Sequence, residues 1–408
     1  MNIIKKSNLY SNKIFFEIND NYNNVDLACK SRIDLFNFKS ISAYNRILYL
    51  DSDILIINDI NNVFNLIEDD ILYVLEEGTI EYDADWWGKP LFENEINNYE
   101  DKTAFSSGIM LFNNCDKIKD LFEKVKLDMI TRPIYLSTYD QGYFIYNAFK
   151  YNLFNNKKMK KYAASNVMDI NTDKTIIHYC GGPGHYIHKI DYMNNFLNLL
   201  KDYTITNIIN NCKIYINENL LPIIKNINEP LEGNIFMNHL TLDYTNDNDN
   251  KIKNISNLVL NKNIKNVMEI GFNSGFSALL MLLSNPNLKI NCFDLGDHKY
   301  ALPCFEKIKE TFGDRINITF GNSVKILPKI NETYDLIHID GGHSNFVASN
   351  DIINSYRLSK EGTILIMDDY NFPNLHQLWD EYIIYYDLKS LDINIYSTDG
   401  HDIKIVVK

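Results

Sequence analysis

Paired cysteines are missing from this sequence. Its six cysteines are scattered along 408 residues without close pairs. Disulfide frameworks and zinc sites both need clustered cysteines, so we expect neither of them here. Isolated thiols are typical of a reducing compartment, and the sequence therefore predicts a cytoplasmic protein.

A long apolar run is missing as well. The first residues, Met1–Lys6, do not begin the apolar stretch of a signal peptide. No uncharged apolar segment is long enough to span a bilayer. We therefore predict a soluble chain without a signal peptide and without a membrane span.

The sequence also has no excess of basic residues. The formal net charge is −13, whereas a general nucleic-acid binder needs a basic face to neutralise phosphates. We therefore predict no nucleic-acid partner. The one basic run, residues 157–161, fits a phosphate or membrane-surface contact, but a solvated loop explains it better.

What the chain does contain is enough length for two α/β domains. A chain of 408 residues exceeds what one core usually organises. Strand-like and helix-like segments alternate in both halves, which predicts largely parallel sheets. We predict a first domain at 1–203, a connecting segment at 204–228 and a second domain at 229–408. Residues 246–250 fit a linker or a loop inside the second domain.

Local patterns predict the individual elements. The strands of the first half are Arg46–Leu50, Ile71–Leu75, Ile109–Phe112 and Thr175–Tyr179, and its helices are Asp116–Met129, Gln141–Phe149 and Tyr192–Leu200. The strands of the second half are Val267–Ile270, Lys289–Phe293, Ile316–Phe320, Leu336–Ile339 and Thr363–Met367, and its helices are Ser277–Ser284, Leu302–Phe312 and Asn350–Leu358.

A first candidate site follows the strand Arg46–Leu50. Asp51 and Asp53 share one face of an extended chain, so both carboxylates can converge on one cation. Hard oxygen ligands suit Mg²⁺ or Mn²⁺, with diphosphate oxygens completing the shell. A bare Asp-x-Asp, however, more often simply opens a polar loop.

Four ordered blocks accompany this Asp-x-Asp. They are residues 31–56 around it, Phe105–Asn113, Tyr139–Gly142, and His178–Gly184 followed by Lys189. Over about residues 30–200 the chain resembles the retaining glycosyltransferases of family 8, the glycogenin-like and galactinol-synthase-like enzymes. Ser106 stands where that family usually has asparagine.

This resemblance implies a GT-A-like, Rossmann-like nucleotide-sugar domain with assigned residues. Those that would bind Mn²⁺ are Asp51, Asp53 and His178. Those that would contact the UDP-sugar are Arg32 and Lys189 at the phosphates, and Asp140 and Gln141 at the sugar and acceptor. For His178 the alternative is a structural role, because a lone histidine is more often a core residue than a metal ligand. Residues 1–20 do not resemble the family's opening strand, which predicts a shortened domain.

A second candidate site is the glycine turn after the strand Val267–Ile270. The spacing Glu269-x-Gly271-x-x-x-Gly275 lets backbone approach a ligand closely. Dinucleotide and adenosyl binders share such turns. Asn273 stands where a dinucleotide-binding turn has its middle glycine, which argues against NAD.

From Glu229 to the C-terminus the chain resembles class I S-adenosylmethionine-dependent methyltransferases, which are doubly wound. The nearest group is the O-methyltransferases related to catechol and macrocin methyltransferases. The resemblance implies a set of residues that hold S-adenosylmethionine. They are Glu269, Gly271 and Gly275 at the methionine, Asp294 at the ribose, and Asn322 and Ser323 at the adenine.

Three carboxylates follow the next strands. In the metal-dependent members, acids at the positions of Asp340, Asp368 and Asp369 bind Mg²⁺ and orient an acceptor hydroxyl. Three adjacent carboxylates are costly unless a cation or protons relieve them. The alternative to metal binding is that Asp368 and Asp369 cap the segment that follows them. We predict that His343 acts as a general base. The alternative is that it forms hydrogen bonds that order the 341–344 loop.

Together these patterns predict a bifunctional enzyme. One activity is metal-dependent retaining transfer from a UDP-sugar to a glycan or glycoprotein. The other is S-adenosylmethionine-dependent O-methylation in glycan modification. The alternative is a methyltransferase whose N-terminal half is a degenerate, non-catalytic recruitment module. Two sets of strand-end acids argue against a pure interaction protein.

Overall fold

The chain divides into two compact units, Met1–Leu200 and Lys201–Lys408. The computed structural model describes residues 22–28, 30–83, 85–136, 138–180, 186–391 and 403–408. Two segments named from the sequence, 1–20 and Gly181–Gly184, lie outside these residues. Within the described ranges, every helix is too short or too polar to cross a membrane.

The first unit contains seven described strands. They are β1 (Arg46–Leu50), β2 (Ile54–Ile56), β3 (Leu72–Thr79), β4 (Thr103–Asn113), β5 (Phe154–Asn155), β6 (Ala163–Ser165) and β7 (Ile176–His178). One sheet has the order β1-β4-β3-β5, and a second has the order β2-β7-β6.

Most strands of the first unit pair antiparallel, which differs from the expected parallel sheets. β4 lies antiparallel to both β1 and β3, and β2 lies antiparallel to β7. Only the β3–β5 and β6–β7 pairs among the described strands are parallel. Alternation of strands and helices along the sequence does not reveal which strands become neighbours, because pairing joins residues far apart in the chain.

Helices cover the sheets of the first unit. Its α-helices are Val25–Ala28, Lys89–Phe92, Asp116–Thr131 and Gln141–Tyr151, and the helix Tyr186–Tyr215 begins in this unit. Short 3₁₀ helices are Ser31–Asn37, Ile41–Ala43, Ile60–Leu66, Asp85–Trp87, Glu95–Asn98 and Lys158–Lys161. β4 is buried along nearly its whole length because helices and neighbouring strands enclose it.

The second unit is built on a seven-stranded sheet. Its strands are β8 (Asn266–Ile270), β9 (Lys289–Asp294), β10 (Ile316–Phe320), β11 (Tyr334–Ile339), β12 (Ser359–Met367), β13 (Lys389–Ser390) and β14 (Lys404–Val407). Their order is β10-β9-β8-β11-β12-β14-β13. The first five are parallel, as predicted, and β14 lies antiparallel to β12 and β13.

Helices lie between these strands in the chain. The α-helices are Leu221–Ile227, Asp249–Val259, Phe276–Ser284, Ala301–Phe312, Ser323–Ile326, Asn345–Arg357 and Pro373–Tyr385. A π-helical turn, Ile216–Leu220, and two 3₁₀ turns, Gly313–Arg315 and Leu327–Lys329, complete the set. The order of β10, β9, β8 and β11 reverses direction at β8, which places a ligand crevice at the end of that strand.

The stretch 204–228, predicted as a connecting segment, contributes to the core of the second unit. Ile205, Cys212, Ile216 and Leu220 are buried in one cluster with residues of the sheet, such as Val267. The helix Asp249–Val259 buries its apolar face in the same cluster. The polar residues 246–250 therefore lead directly into a packed helix.

Core packing in the second unit yields a stability prediction. Leu365 lies in β12 between β11 and β14 and is fully buried. Leu365→Ala is expected to lower the unfolding free energy of this unit by about 2–5 kcal/mol, because buried contacts are lost and a cavity remains. Hydrogen exchange of the β11 and β12 amides measures the change.

The matched control is Ile384→Ala on the helix Pro373–Tyr385. Ile384 is 81% exposed, so its truncation should change stability by no more than about 0.5 kcal/mol. Equal effects of the two variants would contradict the central position of β12 in the core.

Candidate functional site

Strand pairing gathers the first site around Gly108. Asp51 follows β1 and its N–H donates to the Gly108 carbonyl at 2.9 Å. β2 pairs with β7 so that Ile54 lies opposite His178, and Asp53 immediately precedes Ile54. As a result, one ligand atom from each of Asp51, Asp53 and His178 lies within 4.8 Å of the others.

Gly108 is required for this convergence. A Cβ at this position would lie 2.4 Å from His178 Cε1 and 2.9 Å from Asp51 Oδ2. Both distances are shorter than real contacts allow, so any larger residue would push the two ligand side chains away. The glycine of the Phe105–Asn113 block thus keeps open the space on which the three side chains converge.

Asp53 lies between two basic side chains. Its carboxylate is 3.3 Å from His178 Nε2 and 2.5 Å from Lys189 Nζ. Burial by itself would raise the pKa of Asp53, but His178 and Lys189 hold it well below its usual range. Burial lowers the pKa of His178, but Asp53 and Cys180 together outweigh it and raise that pKa to about 10.

Arg32 links the Asp51 side of the first site to Asp140. Its Nη1 lies 3.4 Å from Asp51 Oδ2 and donates to Ser107 Oγ at 2.9 Å. Its Nε lies 3.0 Å from Asp140 Oδ2. Burial raises the pKa of Asp140 to about 6, although the Arg32 charge opposes that rise.

Gln141 is the first residue of the helix Gln141–Tyr151 and closes the network. Its Oε1 accepts the Ser107 N–H at 3.1 Å, and its Nε2 donates to the Trp86 carbonyl at 3.2 Å. The structure therefore brings together every residue predicted for this site. They are Arg32, Asp51, Asp53, Asp140, Gln141, His178 and Lys189.

The donor set fits a divalent cation. Two carboxylates and one imidazole are hard and borderline ligands that suit Mn²⁺. Ser106 was noted in the sequence as a departure from the family but was given no role; its Oγ lies 3.3 Å from His178 Nδ1 and orients the ring. Its position next to Ser107 and Gly108 was the available signal.

In the second unit, Gly271 marks the end of β8. Its φ is +92°, and a Cβ there would lie 1.9 Å from the Asp340 carbonyl oxygen. Only glycine allows the ends of β8 and β11 to lie this close. Gly275, at φ +79°, is the N-cap of the helix Phe276–Ser284.

Asp294, the last residue of β9, holds the glycine turn. Its Oδ2 accepts the N–H groups of Phe272 at 2.8 Å and Asn273 at 2.9 Å. Its Oδ1 accepts the Gly296 N–H at 2.7 Å. Asp294 therefore orders the turn in addition to lining the cavity beside it.

Two adjoining cavities lie over the ends of these strands. One of about 290 Å³ is lined by Asp294, Asn322 and Ser323. The other, of about 680 Å³, is lined by His343 and Asp369. Their walls share six residues, which are Gly271, Asn273, His298, Asp340, Gly341 and Gly342. Together they form one groove at the carboxyl ends of the parallel strands.

Of the residues predicted to hold S-adenosylmethionine, Glu269 and Gly275 line neither cavity. Glu269 is fully buried. Its Oε1 lies 3.1 Å from His338 Nδ1, and its Oε2 lies 3.5 Å from Cys292 Sγ. Glu269 therefore contacts residues of both neighbouring strands, because His338 of β11 and Cys292 of β9 lie opposite it in register and share its face of the sheet.

Asp340, Asp368 and Asp369 lie at adjacent strand ends, as predicted. One atom each of His338, Asp340 and Asp368 lies within 4.8 Å of the others, a set that does not include Asp369. Asp369 Oδ2 instead lies 2.8 Å from His343 Nε2. Asp368 forms an ion pair with Lys251, and its Oδ2 lies 3.4 Å from His338 Nε2.

These neighbours shift each pKa in the cluster. Burial, and then the Asp368 charge, raise the pKa of Asp340 to about 7. Burial would raise the pKa of Asp368, but Lys251 and His338 lower it well below its usual range. Burial lowers the pKa of His338, but Asp368 and Glu269 raise it to about 10.

Sequence reasoning missed Lys251, His338 and His298. Lys251 lies on the buried stripe of its helix, four residues before Ile255, so a charge in an apolar position was the available signal. His338 is hidden inside an apolar strand. His298 lines both cavities and pairs with Glu229 at 2.9 Å.

Solved structures similar to part of this chain include O-methyltransferases. An O-methyltransferase from Bacillus cereus in complex with SAH is 20% identical, with a TM-score of 0.33, over 39% of this chain and 80% of that one. An SAH-bound methyltransferase from Podospora anserina is 16% identical, with a TM-score of 0.33, over 40% and 82%. No curated protein matches. Such low scores carry no assignment.

Family models match both units. Residues 268–370 match the model described as a methyltransferase domain. Residues 12–183 match the model of glycosyl transferase family 8. The two matches do not overlap, and each contains most of the site residues of its own unit. This chain is therefore a fused transferase that carries a glycosyl transferase family 8 domain and a methyltransferase domain.

Proposed function

We propose that this chain is a bifunctional enzyme acting on glycans. Its first unit transfers a sugar, with retention, from a UDP-sugar with the help of Mn²⁺. Its second unit transfers a methyl group from S-adenosylmethionine to a hydroxyl group. A glycan or glycoprotein is the acceptor in both steps.

The observation that carries the first activity is the convergence of Asp51, Asp53 and His178. Three side chains from two separate strand pairs aim at one point, and Gly108 keeps the space between them open. A polar loop opening would not need an imidazole from a distant strand. The arrangement therefore favours a cation site.

The bound cation would supply positive charge at the departing diphosphate. Lys189, held against Asp53, would place a second positive charge on the same side. Arg32 holds Asp51 and Asp140 in fixed positions. Asp140 is buried and Gln141 is tied to Ser107, so both would present a preorganised surface to the sugar.

For the second activity, the groove over β8, β9 and β11 supports the proposal. Adenosine would occupy the smaller cavity, with Asn322 and Ser323 at the adenine edge and Asp294 at the ribose. The methionine part would pass over Gly271, where only backbone limits the approach. The methyl group would then point into the larger cavity, beside Asp340 and His343.

His343 would accept the proton of the acceptor hydroxyl. Its Nε2 is held 2.8 Å from Asp369 Oδ2, which orients the ring. S-adenosylmethionine, when bound, would supply the methyl group, with its carbon–sulfur bond breaking as the acceptor oxygen bonds to the methyl carbon. The products would be the methylated acceptor and S-adenosylhomocysteine, and His343 would hold the proton.

Binding experiments test the first site without a known acceptor. Asp53→Ala should weaken Mn²⁺-dependent binding of UDP by at least about tenfold, since even indirect partners of a metal ligand are worth that much. Calorimetry with UDP, in Mn²⁺ and then in EDTA, measures the difference. The Mn²⁺ dependence is the informative quantity, because removing Asp53 also frees Lys189 to attract phosphate.

The control is Asp120→Ala, which removes one exposed carboxylate from the same unit. Its Mn²⁺-dependent UDP affinity should equal that of the unaltered chain. If the unaltered chain itself binds no UDP with Mn²⁺, the first unit is the degenerate recruitment module that the sequence offers as the alternative.

S-adenosylhomocysteine tests the second site. Asp294→Ala should weaken its binding by about tenfold to a hundredfold, because a hydrogen bond to a charged group is typically worth about 1.5–3 kcal/mol. Asp294→Asn should have a smaller effect, since its oxygen can still accept the Phe272 N–H. Calorimetry compares both variants with Asp314→Ala, whose side chain is exposed. Unchanged binding by Asp294→Ala would rule out the ribose assignment.

A further inference from the structure

A buried lysine lies at the acidic cluster of the second unit. Lys251 belongs to the helix Asp249–Val259, outside the residues that match the methyltransferase model. Only 9% of its side chain is exposed, and its ammonium group pairs with the Asp368 carboxylate, which is itself buried. Burying an ammonium is costly unless it is paired, so this placement is specific.

The surrounding charges define what Lys251 does. Asp340 lies beside Asp368 in the cluster, and both act on the Lys251 ammonium. Asp369 is paired with His343 at 2.8 Å. The ammonium therefore lies where the carboxylates at the ends of β11 and β12 concentrate negative charge.

The same cluster does not fit a divalent cation. In the first site the Asp51 and Asp53 side chains are 27% and 21% exposed, whereas the His338 and Asp368 side chains are 0% and 1% exposed and leave an ion no opening. His338 points Nδ1 at Glu269, 3.1 Å away, and Nε2 at Asp368, 3.4 Å away. Both ring nitrogens thus face carboxylates, and neither lone pair is directed at an open position. Asp368 Oδ2 faces Lys251 and His338, while Oδ1 accepts the Asp369 N–H at 2.8 Å. The remaining carboxylate, Asp340, cannot hold an ion alone.

We propose that the Lys251 ammonium takes the place of a divalent cation at Asp340 and Asp368, so that the methyltransferase unit binds no Mg²⁺. This inference rests on the proposed methyl transfer in the second unit. Lys251 is a positioning residue: it neutralises Asp368 and fixes the end of β12, on which Asp369 and its partner His343 depend. A tethered ammonium does this without the geometry that Mg²⁺ demands.

Removing the ammonium should create a cation site. In Lys251→Met or Lys251→Gln the two carboxylates lose their partner, and a divalent ion becomes the available compensating charge. Lys251→Arg keeps the charge and should resemble the unaltered chain. Lys262→Met removes one exposed lysine beyond the same helix and serves as the matched control.

The experiment measures Mn²⁺ by electron paramagnetic resonance on the full chain saturated with S-adenosylhomocysteine. The reference protein carries Asp51→Asn and Asp53→Asn, which remove the two candidate carboxylate ligands of the first unit. We expect the reference protein, Lys251→Arg and Lys262→Met to bind no Mn²⁺. Lys251→Met or Lys251→Gln should bind about one ion per chain, and Mn²⁺ should raise its melting temperature.

Two results would overturn the role of Lys251. One is Mn²⁺ bound by the reference protein while S-adenosylhomocysteine is bound. The other is the absence of any gain in Mn²⁺ binding when the lysine is replaced. The proposed methyl transfer fails separately, through loss of S-adenosylhomocysteine binding by the reference protein itself.

Discussion

Compensation of negative charge at strand ends is the constraint on which both sites depend. Asp53 and Asp368 each follow or precede a strand and are largely withdrawn from water. Carboxylates this close to others remain ionised only where positive charge is supplied. Lys189 supplies it in the first unit and Lys251 in the second. Each lysine belongs to a helix outside the strands that carry the acids, so each site is complete only when that helix is packed in place.

Close backbone approach is the second requirement that the two units share. Gly108 leaves room for His178 and Asp51, and Gly271 lets the end of β8 lie against the Asp340 carbonyl. A side chain at either position would separate the groups that the strands bring together. Asp294 shows how such a turn is kept in shape, because its carboxylate accepts hydrogen bonds from three backbone N–H groups of the surrounding loops. The same acid that orders the turn therefore also forms the wall of the ligand cavity.

The two units differ in how far local patterns predicted them. In the second unit, parallel strands succeed one another with a helix between most of them, so strand ends and polar residues were readily placed. Glu269 was assigned to the cofactor because of the resemblance to class I methyltransferases; in the structure its carboxylate lies 3.1 Å from His338 Nδ1. In the first unit, strand bounds such as Arg46–Leu50 agree with the structure, but the antiparallel pairing of β1 with β4 was not foreseen. Periodicity reports which face of a strand is buried and says nothing about its neighbour.

The sequence by itself determined the positions of five acids next to their strands and the glycine turn after Ile270. The five acids are Asp51, Asp53, Asp340, Asp368 and Asp369. Those features are local, since strand ends and glycine conformations depend on adjacent residues. Only the tertiary structure decided which basic side chain pairs with each acid. The pairing of Lys251 with Asp368 and the wedging of His338 between two carboxylates join distant parts of the chain. Such pairs form because burial leaves a charged group no water to replace its partner, and burial is a property of the folded chain.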